Sequence, residues 1–358
     1  MSPHEIALSS LGWNAFFESN RSQLRDGVPG RVAAHHGASL VVVTSTGSVN
    51  ARVAGKLRHS ATSALHMPAV GDWVGLRRSS QHDAVIDVVL PRSSQLMRQA
   101  AGSAVGPQVI AANVDVVAIV LALGADFNAR RLERYLSVVE PSGATAMVLL
   151  AKVDLCADPE SHEAAARSSA PGVPVLTLSA VSGQGLDALR ERLRPGLTAA
   201  LVGSSGVGKS TLVNALLGAD VQRTGAVREH DDRGRHITTH RELFALPGGA
   251  LVVDTPGMRE LSAWAGDGAR DGAAFDDIAD IGTACRFADC AHDSEPGCAV
   301  AAAIARGELE VGRLENFRKL GRELAFQARR EDQSARRAEV ARWKSITKSM
   351  RGFTKEGR

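Results

Sequence analysis

Apolar and polar positions alternate in three different ways along the chain, and each way predicts a different kind of structure. Residues 1–26 form a short leader, with a helix expected around Trp13-Asn14-Ala15-Phe16-Phe17. From Val28 to about Met97, short β-rich runs (40–43, 70–76, 84–90) are broken by Gly, Ser, Pro and Asn, as in a small barrel. Helical periodicity is weak there. After a Gly/Pro stretch at 102–107 the runs become almost wholly apolar and are spaced by helix-like segments. Strands are expected at 114–123, 146–150, 175–178, 199–202 and 251–253, and helices near 129–139, near 186–193 and from Lys209. Apolar strands spaced by helices predict a parallel sheet covered on both faces. After Trp264 the sheet pattern stops, and a Cys/His cluster precedes an Ala/Arg/Glu-rich helical tail. With 358 residues the chain exceeds one modest core. The expected division is a leader (1–26), an OB-fold β-barrel (27–105), an α/β P-loop domain (106–267), and a zinc-binding helical domain with a basic tail (268–358).

Bulk properties narrow the class. No apolar run reaches the ~20 residues that a bilayer crossing needs, so no membrane partner is expected. The first residues lack a basic-then-apolar leader, and the expectation is a cytoplasmic protein. Net charge is only +3, yet Lys/Arg pairs recur at 318/319, 329/330 and 336/337 with few acids between them. Such a tail either contacts phosphate-rich partners or is simply a solvated helical face. Aromatic residues make up 4% of the chain, which disfavours base stacking on single strands and favours recognition of structured RNA through its phosphates and shape.

Phosphate chemistry is carried by Gly203-Ser204-Ser205-Gly206-Val207-Gly208-Lys209-Ser210, placed between an apolar strand and a helix. Glycines let backbone N–H groups converge on phosphate oxygens. Lys209 can neutralise the β- and γ-phosphates, Ser210 can ligate Mg²⁺ and Thr211 can approach the α-phosphate. Asp254-Thr255-Pro256-Gly257 ends a strand about 45 residues after Lys209. Asp254 is placed to hold the metal through water, and Gly257 to offer an amide to the γ-phosphate. Between these motifs, Gly234-Arg235-His236-Ile237-Thr238-Thr239 occupies the position of a switch segment, where Thr238 can supply its hydroxyl to Mg²⁺. Met258 follows Gly257 and cannot orient water. His236 is therefore the nearest candidate for that task, against the plainer reading of a loop histidine without one.

Base recognition points to guanine. Ala151-Lys152-Val153-Asp154 follows an expected strand; the Asp154 carboxylate can accept from guanine N1–H and N2–H, a donor pair that adenine lacks, while the Lys152 stem covers the base. Ala151 stands where such loops usually carry asparagine. Ser179 and Ala180 fit a second base-contacting loop, the Ala180 amide reaching guanine O6. These elements precede the phosphate loop, whereas in an ordinary small GTPase they follow it. That order predicts a circularly permuted GTPase domain. Separately, Cys285-x4-Cys290-x-His292-x5-Cys298 offers three thiolates and one imidazole within 14 residues, enough for one closed structural Zn²⁺ site per chain.

Together these residues resemble the RsgA family, bacterial GTPases dependent on the small ribosomal subunit. The resemblance spans nearly the whole chain, through Val70-Gly71-Asp72-Trp73-Val74, Leu90-Pro91-Arg92, Ala112-Asn113-Val114-Asp115, the permuted motifs and the Cys/Cys/His/Cys cluster. Permuted order combined with that cluster is specific to it. The resemblance implies an OB barrel, a permuted GTPase and a zinc-binding C-terminal domain. It also implies late maturation of the small ribosomal subunit, with rRNA and GTP/GDP as partners and hydrolysis stimulated by the subunit driving release. A monomer is expected. Two alternatives stay open: an RNA-binding assembly scaffold whose nucleotide site is largely structural, and a P-loop ATPase or kinase, against which Asp154 speaks.

Overall fold

The computed structural model describes residues 6–36, 39–61, 63–80, 82–99, 107–124, 127–204, 206–218, 242–254, 275–293 and 295–323, with helical positions at 325 and 329. The leader contributes helix α1 (Ala15–Ser19), started by Asn14, whose side chain accepts from the amides of Phe16 and Phe17. Strands β1 (Val28–His36), β2 (Ser39–Thr44), β3 (Gly47–Val53), β4 (Trp73–Arg78) and β5 (Asp83–Val89) follow, with helix α2 (Gly55–Ser60) between β3 and β4. They pair in the order β1-β2-β3-β5-β4, and β4 returns to β1 to close a five-stranded barrel of OB type. Burial alternates along β2, so Leu40, Val42 and Thr44 point inward. Each fully buried Leu, Val or Ile contributes roughly 1.5–3 kcal/mol.

The leader is part of the barrel's packing. Leu11, Phe17 and Leu24 join Trp73 and Leu90 in one buried cluster, with Trp13 edge-on to Trp73 at 4.7 Å between ring centroids. Asp72, wholly buried, accepts from Arg92 Nε at 2.8 Å and Nη2 at 2.7 Å and from the Ala69 amide at 2.7 Å. The motifs Val70–Val74 and Leu90–Arg92 therefore work structurally, fastening the barrel's turns.

β1 is absent from the hydrophobic pattern because Pro29, Gly30 and Arg31 interrupt it. The fold explains all three. Pro29 lies at the strand's start, where a missing donor is tolerated. At Gly30 a side chain would collide with Val42 and Leu76. Arg31 is buried, yet donates to three main-chain carbonyls from separate segments: Leu11 in the leader, Gly71 in the barrel at 3.2 Å and Asn113 at 2.9 Å. Burial pulls its guanidinium down to about 10, opposed by Asp115 and Asp72, so it remains a cation at neutral pH.

Beyond the barrel come the paired strands β6 (Gln95–Gln99) and β7 (Pro107–Ala112), then β8 (Val116–Ala122), α3 (Ala129–Val139), β9 (Thr145–Ala151), α4 (Pro159–Ser169), β10 (Val175–Thr177), α5 (Leu186–Arg192), β11 (Thr198–Val202), α6 (Lys209–Leu217), β12 (Glu242–Ala245) and β13 (Leu251–Asp254). β10-β9-β8-β11-β13 are parallel, and β12 runs antiparallel beside β13. The expected strands and the helices at 129–139 and 186–193 appear within two residues of their predicted bounds, except that 70–72 form a turn and 114–115 precede β8. Helix α4 was not expected, although Asp158-Pro159 marks its start: the Asp158 carboxylate accepts from the Ser161 amide at 3.1 Å and proline sits in the first turn. β12 pairs on its other edge with β1, joining barrel strands and parallel strands in one 11-stranded sheet.

Of the described residues, those from 277 to 323 belong to a second compact unit. Helix α7 (Asp276–Gly282) leads into the Cys/His loop, α8 (Ala299–Ala305) follows it, and 311–323 are helical. Arg313 clamps Asp277 through Nε at 2.6 Å and Nη2 at 2.8 Å. Among the described residues, no helix is long and apolar enough to cross a membrane.

Candidate functional site

All the candidate nucleotide residues that the structure describes lie where parallel strands end. In open α/β sheets this C-terminal edge is where ligands bind, because loops and helix N-termini converge there. β11 runs straight into the phosphate loop and α6 begins at Lys209. The loop requires its glycines: Gly203, Gly206 and Gly208 hold φ of 149°, 80° and 100°, and a Cβ on Gly203 would strike the Val120 carbonyl. Val207 points down into the core, buried among Ala118, Leu201 and Leu212, which anchors the loop from below. Lys209 Nζ donates to the carbonyls of Gly203 and Ser204, both at 2.7 Å. Its charge thus sits within the loop. Ser210 and Thr211 occupy the first turn of α6, half-buried; Ser205 lies outside the described residues.

Two strands away, β9 delivers Ala151 at its buried end, where its carbonyl accepts from the Leu123 amide at 2.9 Å. Lys152 then turns into the left-handed region (φ 64°), and Asp154 projects into solvent from a 3₁₀ turn at Val153–Leu155. The Val153 amide donates to Leu178 O at 3.3 Å, tying this loop to the end of β10. There Ser179 is wholly buried, and its hydroxyl accepts from the amides of Val181 and Ser182 at 3.2 and 3.1 Å. Ser179 is therefore a loop-former, and the adjacent Ala180 is half-buried. The structure brings Lys152, Asp154, Ser179 and Ala180 to the same sheet edge as Gly203–Thr211, in strand order β10-β9-β8-β11.

Asp254 ends β13 next to β11, in register with Leu201. Its backbone thus stands on the strand next to the one that leads into the phosphate loop. His236, Thr238, Gly257 and Met258 lie outside the described residues.

Cys285, Cys290, His292 and Cys298 converge so that one ligand atom from each lies within 4.8 Å of the others. Cys285 Sγ stands 4.0 Å from Cys298 Sγ, and His292 Nδ1 lies 3.5 and 3.6 Å from those sulfurs. A tetrahedral centre with metal–sulfur bonds of about 2.3 Å sets sulfurs roughly 3.8 Å apart, so the donors fit one shared ion. Cys298 also caps α8, its sulfur accepting from the Ala301 amide at 3.3 Å. Burial pushes the Cys290 thiol up to about 11 and, with Arg318 nearby, holds His292 below its ordinary value, which favours the neutral ligating imidazole. Arg318 fixes the loop by donating to His292 O and pairing with Asp293 at 3.4 Å.

The sequence reading missed the junction around Arg31 and Asn113. Asn113, in the left-handed region (φ 54°), accepts at Oδ1 from the Ser93 amide at 2.9 Å and donates to Gly71 O at 3.1 Å. An arginine embedded in apolar Val-Ala-Ala sequence was the available signal.

With the loops at 152–154 and 179–180 early in the chain but the 203–209 loop beside them on one sheet edge, the sheet is that of a circularly permuted GTPase. A family model described as RsgA GTPase matches residues 89–264. A protein from Opitutus terrae named small ribosomal subunit biogenesis GTPase RsgA is 45% identical, covering 99% of this chain and 100% of its own length. The namesake from Syntrophotalea carbinolica is 41% identical, covering 98% of each. This chain belongs to the RsgA family. Among solved structures, YjeQ from Thermotoga maritima aligns with a TM-score of 0.61 at 26% identity, over 83% of this chain and 98% of that one. YloQ, described as a circularly permuted GTPase, shares the fold with a TM-score of 0.58 at 22% identity, over 85% and 96% of the two chains.

Proposed function

We propose that this chain is a cytoplasmic, monomeric GTP hydrolase that binds the small ribosomal subunit during its late maturation and leaves when hydrolysis is stimulated there. One observation carries the guanine-nucleotide part: Asp154 and the Gly203–Ser210 loop, in permuted chain order, meet on one edge of one parallel sheet. Asp154 selects guanine through its paired donors, Lys152 covers the base and the Ala180 amide meets O6. The loop amides and Lys209 neutralise the phosphates. Mg²⁺, when bound, supplies charge neutralisation on the β- and γ-phosphates; Ser210 and Thr238 would ligate it and Asp254 would hold it through water. Gly257 offers its amide to the γ-phosphate, and His236 orients the attacking water. One structural Zn²⁺ would be held by Cys285, Cys290, His292 and Cys298, a donor set with no open position for chemistry. Functionally, 27–105 serve as the barrel, 106–267 as the GTPase and 268–358 as the zinc domain and tail.

Charge supports an rRNA partner. Between Gly27 and His82 the chain holds a single acid, Asp72, which is buried against Arg92, whereas Arg52, Lys56, Arg58 and Arg78 are exposed. A surface of that kind favours phosphates. The test is GTP turnover with and without purified small subunits. Acceleration is expected in the parent, and His236→Ala should bind GTP and subunits yet lose most of the acceleration. An identical parent rate in both conditions would overturn the stimulated-release reading, and undiminished acceleration in His236→Ala would move the water-positioning role elsewhere.

A further inference from the structure

The chain enters the parallel sheet through Asn113-Val114-Asp115, and the two ends of this triplet are bonded to different sides. Asn113 grips the barrel and its exit. Its Oδ1 accepts from the Ser93 amide at 2.9 Å, its Nδ2 donates to Gly71 O at 3.1 Å and its own carbonyl accepts from Arg31 Nη2 at 2.9 Å. Its amide donates to Ser94 O at 2.8 Å. Asp115 grips the sheet. It donates from its amide to Thr198 O at 2.9 Å, at the start of β11, and accepts at Oδ2 from the Thr198 amide at 2.7 Å. Its carbonyl accepts from the amide and the hydroxyl of Thr145, both at 3.0 Å, at the start of β9. Val114 between them is buried, with its amide and carbonyl both bonded to the Ser94 hydroxyl.

The leader makes a second, separate clamp. Arg31 also donates to Leu11 O, and the leader backbone beside it lies against the turn that joins α5 to β11. A Cβ on Gly12 would stand 3.0 Å from Gly196 O, and one on Gly196 would stand 2.9 Å from Ser9 O, so glycine at both places permits the approach. Gly196 in turn donates to Gly249 O at 2.8 Å, in the turn between β12 and β13. A hinge needs a few residues free to change φ and ψ. The triplet supplies none, because every main-chain amide and carbonyl in 113–115 is bonded. Barrel and sheet accordingly fall within one compact unit.

We propose that barrel and parallel sheet stay one rigid body through the nucleotide cycle, so that the cationic barrel face binds rRNA phosphates equally well whichever guanine nucleotide is bound. A nucleotide biases an element only where that element has a second arrangement to favour. The barrel, its orientation fixed, supplies constant affinity, and the nucleotide-dependent part of subunit binding belongs to other segments. The inference rests on the subunit-binding GTPase reading above and divides its partner contacts by their response to the nucleotide.

Two measurements on the full-length, zinc-loaded chain test it. Arg52, Lys56, Arg58 and Arg78 are exposed, and their joint replacement by Ala should weaken binding to purified small subunits both with GDP and with a non-hydrolysable GTP analogue. The two weakening factors should agree within about twofold, as they do for sites that do not couple. Undiminished binding in either state, or factors further apart than that, would overturn the proposal. Spin labels at His82→Cys on the barrel and Glu160→Cys on α4, both exposed positions, report the orientation directly in a Cys156→Ser background. The distance between them should shift by less than about 2 Å between the GDP and GTP-analogue states. A larger shift would show a swinging barrel and overturn the proposal equally. A wild-type chain that binds no guanine nucleotide, or no small subunits, would instead remove the reading on which the inference rests.

Discussion

Asp154 shows how far one side chain can carry selectivity. It stands exposed just past the end of β9, on a turn that begins with Lys152 in the left-handed region, so its two oxygens are open to a ligand. Asp154→Asn exchanges a double acceptor for a mixed donor and acceptor. Binding of GTP should weaken by roughly 2–4 kcal/mol, and xanthosine triphosphate should bind better, as measured by nucleotide competition. Arg31 is the structural counterpart. Arg31→Met would fill similar volume but leave three main-chain carbonyls without their donor, each at a cost of about 1–3 kcal/mol. Urea unfolding should show a loss of several kcal/mol, on a linear-extrapolation basis. The candidate residues were legible one by one because phosphate, base and thiolate chemistry each demand particular residue types. Arg31 was not, since nothing in its neighbours' identities says which distant carbonyls it will meet.

At the scale of elements, legibility followed burial. β8, β9 and β11 are covered on both faces and read as unbroken apolar runs, so they were expected nearly where they lie. β12 is a four-residue strand with half-buried side chains at Glu242, Leu243 and Phe244, too short and too mixed to announce itself. The Cys/His loop is a different case. Ligand spacing made it readable. The described residues of 283–298 bury little apolar surface apart from Cys298, so metal ligation should supply much of the segment's folding free energy. Cys290→Ser should lower the metal content from one ion per chain and expose 283–298 to protease, with β1–β13 staying intact. Full metal content and unchanged protection would remove the proposed ligand set.

For the whole molecule, partner binding is a question of charge distribution. Exposed cations on the barrel and the Lys/Arg pairs of the tail are two separate candidates for rRNA contact, and salt dependence separates them. Association with small subunits should weaken steeply as salt rises, because phosphate contacts release counterions. Truncation after Glu323 keeps Arg318 on the His292 carbonyl and removes the pairs at 329/330 and 336/337. A flatter salt slope would assign those contacts to the tail. An unchanged slope would leave them with Arg52, Lys56, Arg58 and Arg78 on the barrel.

Sequence by itself determined the chemistry and the order of parts. Glycines at positive φ, a lysine at the start of a helix, an aspartate at a strand end and a Cys/Cys/His/Cys spacing are local requirements, met or failed within a few residues. Tertiary structure alone decided how the parts are joined. That β12 accepts a barrel strand on its free edge, and that one arginine ties leader, barrel and Asn113 together, depends on partners tens of residues apart in the chain. Such pairings leave no periodic trace in a sequence, because backbone hydrogen bonds between distant strands use groups that every residue possesses.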